Sequence, residues 1–344
     1  MRHGWMAPFA AISLCGGLAL FWGAAFALAR AAARRIGSAP LGAAALLAAF
    51  WTAGEIARSY IFTGFPWALF AYGWLDTPLA QTASVIGPYA LSLATIAAAL
   101  FLTVRPLAVP LAAIACLAAG WLWGETRLRS DAALAPADGA IVRVLQTAVD
   151  QNEKWAARNV RPNLEMLLDL SSRAADAATD SPPAVVVWPE TAVTFLLDRD
   201  PDAAVEIAAR LNGAEVATGT LRAADGPGAA VTDRTRWRNS LFLIRGDGAL
   251  STPFDKLHLV PFGEFLPFDS FFNSLGVVGL GSLGGGMVPG DAHMTIAPRA
   301  APAFAPLICY EMIFPRETMK ASDTAAWMVL VTNDSWFGGG AGLI

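Results

Sequence analysis

The first 125 residues constrain this chain more than any other feature, because they read as one apolar segment after another. Trp5 to Ala29 carries no charge and is long enough to cross a bilayer, which needs about 20 residues. It is too long for a signal peptide, and no small-residue cleavage site precedes a soluble domain. A second apolar segment covers residues 41–60. A third, residues 79–104, lies in the uncharged stretch between Asp76 and Arg105, and a fourth covers 106–124 and ends at Glu125. The expectation for residues 1–125 is a transmembrane α-helical region of about four helices.

The loops set an orientation. Arg30, Arg34 and Arg35 follow the first segment, and Arg105 sits in the turn between the third and fourth. Positive residues mark the cytoplasmic side. Segments one and three then run inward, two and four run outward, and everything after residue 125 is expected outside the cytoplasm. The same rule puts Met1 outside, which is unusual for a chain beginning Met-Arg-His, so further spans are expected ahead of it. Glu55 and Arg58 lie inside the second segment at i and i+3, on one helix face. Two readings stand for them. One is an ion pair near the outer interface, with the arginine snorkelling. The other is a polar feature turned to a lipid headgroup or to the bundle interior, since charges in spans are costly and usually have a use. Thr63-Gly64-Phe65-Pro66-Trp67 reads as an aromatic outer loop, with Trp67 and Trp74 as interfacial belt residues.

Composition then changes. The chain is 55% hydrophobic and 15% charged, against about 25% charged in ordinary soluble proteins, and the apolar excess lies in the N-terminal part. Residues 126–138 read as a polar linker and 139–344 as an α/β domain. A net charge of −4 leaves no electrostatic footprint for nucleic acid. The three cysteines make no disulfide framework. Cys15 and Cys116 lie in apolar segments, so Cys309 is the only cysteine of the soluble part. So few ligands argue against a zinc site, and no metal or cofactor is expected.

Strand patterns at Ala140–Gln146, Ala184–Trp188, Val216–Thr220, Ser240–Ile244, Met294–Ile296, Ala303–Ile308 and Trp327–Thr332 alternate with helical stretches at Leu164–Ala178 and 202–212. That alternation predicts a layered α/β domain with its sites at strand ends. Three side chains sit at such places. Glu190 closes the run Val185-Val186-Val187-Trp188-Pro189. Lys256 opens the stretch from Asp255 to Pro267, where two prolines and four ionisable side chains among apolar residues suggest an irregular site loop. Cys309 ends the strand Ala303–Ile308, ahead of a run from Tyr310 to Met319 that could open a helix and so lower the thiol pKa.

A thiol of pKa about 8.5 needs a base or a cation beside it to act as a nucleophile. Glu190 could take its proton, and Lys256 could hold the thiolate and then a tetrahedral oxyanion. Taken singly, a free cysteine is more often a small buried hydrophobe, and the two charges are more often solvated. The case rests on the joint pattern. A cysteine–histidine pair is poorly supported: His3 and His293 have no supporting context, and His258 has no obvious orienting partner. Phe268 to Gly290, rich in glycine and uncharged after Asp269, has two readings: an apolar stretch packed under a loop, as in a soluble enzyme, or, on a membrane-tethered domain and favoured here, a mobile apolar lid that touches lipid.

Trp188-Pro189-Glu190, Lys256 ahead of Leu259-Val260-Pro261-Phe262-Gly263-Glu264, and Ile308-Cys309-Tyr310-Glu311 resemble the Glu-Lys-Cys triad of the nitrilase (carbon–nitrogen hydrolase) superfamily. The apolar segments, Thr63–Trp67, His258–Pro267 and Asn333-Asp334-Ser335-Trp336-Phe337-Gly338 add a resemblance to the apolipoprotein N-acyltransferase family. That resemblance implies an N-terminal transmembrane α-helical bundle followed by an α/β nitrilase-like domain, an α-β-β-α sandwich. It implies Glu190 as base, Lys256 as oxyanion stabiliser and Cys309 as nucleophile, with Glu264, Tyr310, Glu311 and Trp155 supporting the site or binding substrate. It also implies the reaction. An acyl chain would pass from a membrane phospholipid, through a cysteine thioester, to the α-amine of an S-diacylglyceryl-cysteine on an apolipoprotein. The setting would be the outer, periplasmic face of a bacterial inner membrane. Two other readings stay open: a tethered nitrilase-type amidase that gives its acyl group to water, and an inactive lipid-binding remnant. Measured against the family pattern, the sequence reads as truncated at both ends, with spans expected before it and the rest of the nitrilase domain and a last span after it.

Overall fold

The computed structural model describes residues 7–131, 139–147, 149, 151–173, 182–232, 235–261, 263–265, 267, 286–323 and 325–333. Most of the stretch read as a lid (268–285), the end of the helical reading (174–178), residues 132–138 of the linker reading and Asp334–Gly338 lie outside them. The chain divides into two compact units, Met1–Ala137 and Asp138–Ile344.

Among the described residues of the first unit, four helices are long and apolar enough to cross a membrane. They are α1 (Ala7–Arg35), α2 (Pro40–Arg58), α3 (Ala83–Phe101) and α4 (Ala108–Asp131). Alanine and leucine dominate them and favour helix strongly. Helix α1 continues through Arg30, Arg34 and Arg35, because charge does not end a helix; it stops just before Gly37, which takes φ +59°. Helix α3 is broken at Gly87, φ +77°, the residue before Pro88, where proline disfavours helical backbone. Helix α4 runs on to Asp131, so residues 126–131 are helical where the sequence suggested a linker. An i, i+4 ion pair, Glu125–Arg129 at 2.9 Å, supports its last turns.

Glu55 and Arg58 are both buried. The Arg58 guanidinium donates to the Trp67 carbonyl and, at 3.3 Å, to the Ala68 carbonyl; it also lies 5.3 Å from the Trp22 ring centre. Glu55 accepts the Phe70 N–H at 3.3 Å. Of the readings open at the sequence level, the pair follows the one turned to the bundle interior, where it folds the loop at residues 67–70 back onto α2.

The described residues of the second unit form two sheets. The first contains, in spatial order, β1 (Val142–Val144), β2 (Val185–Val187), β3 (Glu215–Ala223), β4 (Trp237–Ile244) and β5 (Phe254–Asp255). Strands β1 to β3 are parallel, and β3 to β5 are antiparallel. The second sheet pairs β6 (Phe304–Ile308) with β7 (Trp327–Val331), also parallel. The Met294–Ile296 stretch makes only a single bridge, Ile296 to Phe304. The helices are α5 (Gln151–Lys154), α6 (Val160–Ser172), α7 (Pro201–Arg210) and α8 (Pro315–Ser322).

Strand alternation sorts the side chains into layers. Val185 and Val187 pack between the sheets with Ala217, Leu241, Leu243, Ile308 and Val331. Val186 points the other way, onto Leu164, Leu167 and Leu168 of α6 and Ile207 of α7. Ala305 and Leu307 pack against Ala321 of α8 on the far side of the second sheet. Helices, sheet, sheet and helix make an α-β-β-α sandwich, the architecture that the resemblance implied. Both faces of β2 and β6 are covered, which is why they read as continuous apolar runs rather than alternating ones.

Candidate active site

Strand ends and the turns after them bring the candidate residues together on the side of the first sheet that faces the second. Glu190 sits in the turn after β2, against the backbone of β3. A Cβ on Gly219 would lie 2.5 Å from the Thr191 nitrogen, so only glycine lets the turn come this close. Thr191 takes φ +45°. Lys256 directly follows β5, and its N–H donates to the Asn239 carbonyl of β4 at 2.8 Å. Cys309 follows β6 with φ +52° and opens a short 3-10 turn, Cys309–Ile313. Left-handed backbone at a residue other than glycine costs on the order of 1–3 kcal/mol and persists where the surroundings enforce it.

Lys256 is 1% exposed. Its Nζ lies 2.9 Å from Glu264 Oε1 and 3.9 Å from Glu190 Oε1. Asn239 Nδ2 bridges the same two carboxylates, donating to Glu190 Oε1 at 2.8 Å and to Glu264 Oε1 at 3.3 Å. The Val260 N–H donates to Glu264 Oε2 at 2.8 Å. Among the described residues Glu190 Oε2 is buried without a hydrogen-bond partner. The Thr332 hydroxyl reaches Cys309 Sγ at 3.7 Å. Lys256, Glu190 and Glu264 all lie within electrostatic range of the thiol.

Burial pushes the Cys309 thiol up to about 12, and Glu190 adds to this, while Lys256 and Thr332 pull it down. This corrects the expectation that a helix N-terminus would activate the thiol. Cys309 opens a single 3-10 turn rather than an α-helix, and desolvation outweighs any lowering that so short a turn supplies. Burial also pulls the Lys256 ammonium down, but Glu264, Glu190 and Cys309 together outweigh it and leave the lysine above its ordinary value. The site therefore holds a protonated thiol, a fixed cation and a carboxylate with one unengaged oxygen. That set can remove a thiol proton and stabilise negative charge on an attacked carbonyl.

Glu311 ties two parts of the site together. Its Oε1 accepts the Leu257 N–H at 2.6 Å and the His258 N–H at 3.3 Å, and its Oε2 accepts the Ile308 N–H at 2.6 Å. Burial raises its carboxyl to about 7 despite those donors. Tyr310 packs edge-on to Phe314 at 5.1 Å, and burial lifts its phenol to about 12. His258 stacks on Phe314 at 3.7 Å, so it has an orienting partner after all, an aromatic one. Trp155 stands apart: it is 46% exposed, with the Lys154 ammonium 5.9 Å from its ring. Asp255 points away from the site. It accepts from Arg222 Nε at 2.8 Å, the Ser240 hydroxyl at 2.6 Å and Arg238 at 3.4 Å.

Sequence reasoning missed Asn239, Thr332 and Lys154. The strand pattern was read only from Ser240, and a lone asparagine one residue earlier gave no signal. Lys154 stands directly before the singled-out Trp155. It is 4% exposed, and its Nζ donates to the Glu190 carbonyl at 3.0 Å and the Thr191 hydroxyl at 2.7 Å. Among the described residues no three His, Cys, Asp or Glu side chains are grouped so as to hold a metal ion.

Residues 142–343, well over half of the chain, match the family model described as carbon-nitrogen hydrolase. The chain belongs to the carbon–nitrogen hydrolase family. Residues 1–101 of this carbon–nitrogen hydrolase match a second model, the apolipoprotein N-acyltransferase N-terminal domain. Together with the four apolar helices, that match marks a membrane protein. Among its relatives, the apolipoprotein N-acyltransferase of Bradyrhizobium diazoefficiens is 36% identical over 97% of this chain and 63% of its own length. That of Allorhizobium ampelinum is 38% identical over the same shares, 97% and 63%. The chain thus spans a little under two thirds of the curated relatives it matches. Among solved structures, an amidase from Nesterenkonia sp. is 14% identical with a TM-score of 0.37, covering 58% of this chain and 68% of its own, a likeness that adds nothing to the family match.

Proposed function

We propose that this carbon–nitrogen hydrolase is an acyltransferase that moves a phospholipid acyl chain to the N-terminus of a lipoprotein. One combination carries the reading: a buried thiol, lysine and carboxylate cluster, in a chain whose first 101 residues match the apolipoprotein N-acyltransferase N-terminal domain. Residues 1–125 would be the transmembrane region and 139–344 the catalytic domain. The arginines at 30, 34, 35 and 105 favour an inner-membrane protein with that domain on the outer face.

In this reading the Glu190 carboxylate takes the Cys309 proton as sulfur attacks the ester carbonyl of a phospholipid. The carbonyl oxygen becomes an oxyanion facing the Lys256 ammonium. Collapse breaks the C–O bond, and the proton held by Glu190 goes to the departing lysophospholipid hydroxyl. The acyl group remains on Cys309 as a thioester. The α-amine of an S-diacylglyceryl-cysteine then attacks the thioester carbonyl, and Glu190 takes its proton. The C–S bond breaks, the amide leaves, and the proton returns to sulfur. No cofactor is needed. Glu264 keeps Lys256 in place and cationic throughout.

Intact mass spectrometry of the chain in detergent with phospholipid tests this. An adduct of one acyl chain on Cys309 should form, then discharge onto a diacylglyceryl lipopeptide with a free α-amine. Cys309→Ala should form no adduct and no amide. If that variant still acylates the lipopeptide, the reading is wrong. Free fatty acid without transfer to the amine would favour a hydrolase instead.

A further inference from the structure

Lysine is almost never fully buried unless something keeps it there. Lys154 is 4% exposed, yet the groups its ammonium bonds are neutral: the Glu190 carbonyl and the Thr191 hydroxyl. Both belong to the turn that carries the Glu190 side chain. That turn is pressed against β3 at Gly219, and Thr191 within it is held at φ +45°. Asn239 fixes the carboxylate at its tip, and Lys154 fixes the backbone from which it extends. We infer that Lys154 is a positioning residue for Glu190, holding the Pro189–Thr191 turn and placing a positive charge beside the carboxylate. The inference rests on the reading of Glu190 as the base.

The electrostatic half rests on reciprocity. Burial lowers the Lys154 pKa to about 8, and the Glu190 charge is what opposes the fall. Two charges that act on each other stabilise each other's charged form equally. The charged groups facing Glu190 are Lys154, Lys256 and Glu264, with Cys309 beside them. Removing the Lys154 charge leaves Lys256 shared between two carboxylates, so alkylation of Cys309 should need a higher pH. A purely structural lysine would not shift that pH dependence. Uncharged glutamine keeps hydrogen-bond donors at this place, and arginine keeps the charge.

The test is the rate of Cys309 alkylation by iodoacetamide between pH 5 and 9, in the full chain with Cys15→Ser and Cys116→Ser, read by intact mass. Lys154→Gln should slow alkylation about tenfold at pH 7 and move the acid-side midpoint up by roughly one pH unit. Lys154→Arg should return the midpoint to its original value. Should Lys154→Gln fail to fold, Thr191→Val removes one acceptor and leaves the charge. It should slow alkylation several-fold with the midpoint unmoved. A wild-type rate and midpoint in Lys154→Gln, or a wild-type rate in Thr191→Val, overturns the inference. Glu190→Gln separates the two claims. If it keeps the wild-type profile, the reading of Glu190 as base fails, whatever the Lys154 variants do. If it flattens the acid limb while Lys154→Gln stays wild-type, only the positioning role is lost.

Discussion

Glu311 shows how a side chain outside the Glu190, Lys256 and Cys309 cluster can decide whether that cluster exists. Three backbone N–H groups from two segments converge on it. Glu311→Ala leaves all three buried donors without their acceptor and should cost about 2–4 kcal/mol of stability, visible as a lowered melting temperature in detergent. The pH dependence has a definite sign. The Glu311 carboxyl sits at about 7 in the folded chain, above its ordinary 4.5, so between those values the folded state holds a proton that the unfolded state has released. Stability contributed at this position falls as pH rises through that window and levels off above it. Glu311→Gln cannot ionise and should flatten that slope in melts taken from pH 4 to 8. Lys256 supports a different expectation. Lys256→Met leaves Glu190 and Glu264 sharing Asn239 with no cation between them. Thioester formation should fall by roughly 10²–10³-fold, the loss typical of one oxyanion donor.

Among the elements, the close contact of β3 with the Glu190 turn links backbone packing to the site. Gly219→Ala would drive a Cβ into the Thr191 nitrogen and the Glu190 Cα, both backbone atoms that cannot swing away. It should displace the turn and cost more in thioester formation than in melting temperature, which an intact-mass time course beside a thermal melt would reveal. In the membrane unit, Arg58→Met frees the Trp67 and Ala68 carbonyls, and amide exchange in residues 64–70 should rise. The elements also show what the sequence could and could not convey. Apolar runs such as Val185–Val187 and Phe304–Ile308 were plain because burial on both faces leaves no polar residue to confuse the pattern. The start of β4 was hidden because Arg238 and Asn239 face polar clusters on opposite sides of the sheet, which breaks the apolar run where the strand begins. Lys154 was invisible for another reason: nothing local distinguishes a lysine that turns inward from one that faces water.

Over the whole molecule, the apolar N-terminal unit and the α/β unit obey different rules, and both were legible from composition and periodicity. The helix ends within the first unit were less so, since α1 and α4 run past the charges that seemed to close them. The orientation of the chain gives its own prediction. A reporter that is active only outside the cytoplasm should be silent when fused after Ser38 and active when fused after Gly139. The opposite result would reverse the assignment from the arginines. Neighbouring residues of opposite charge have a consequence for how the chain finds its fold. Asp255 lies with Arg222 and Arg238 on one face of the first sheet, and Lys256 lies with Glu190 and Glu264 on the other. Strand β5 is only two residues long, and so short a strand would ordinarily tolerate pairing one place out of line. Here such a slip would set an anion among carboxylates and a cation among arginines, so misregistered chains are repelled before they can close the core. The charges that equip the site also proofread its assembly.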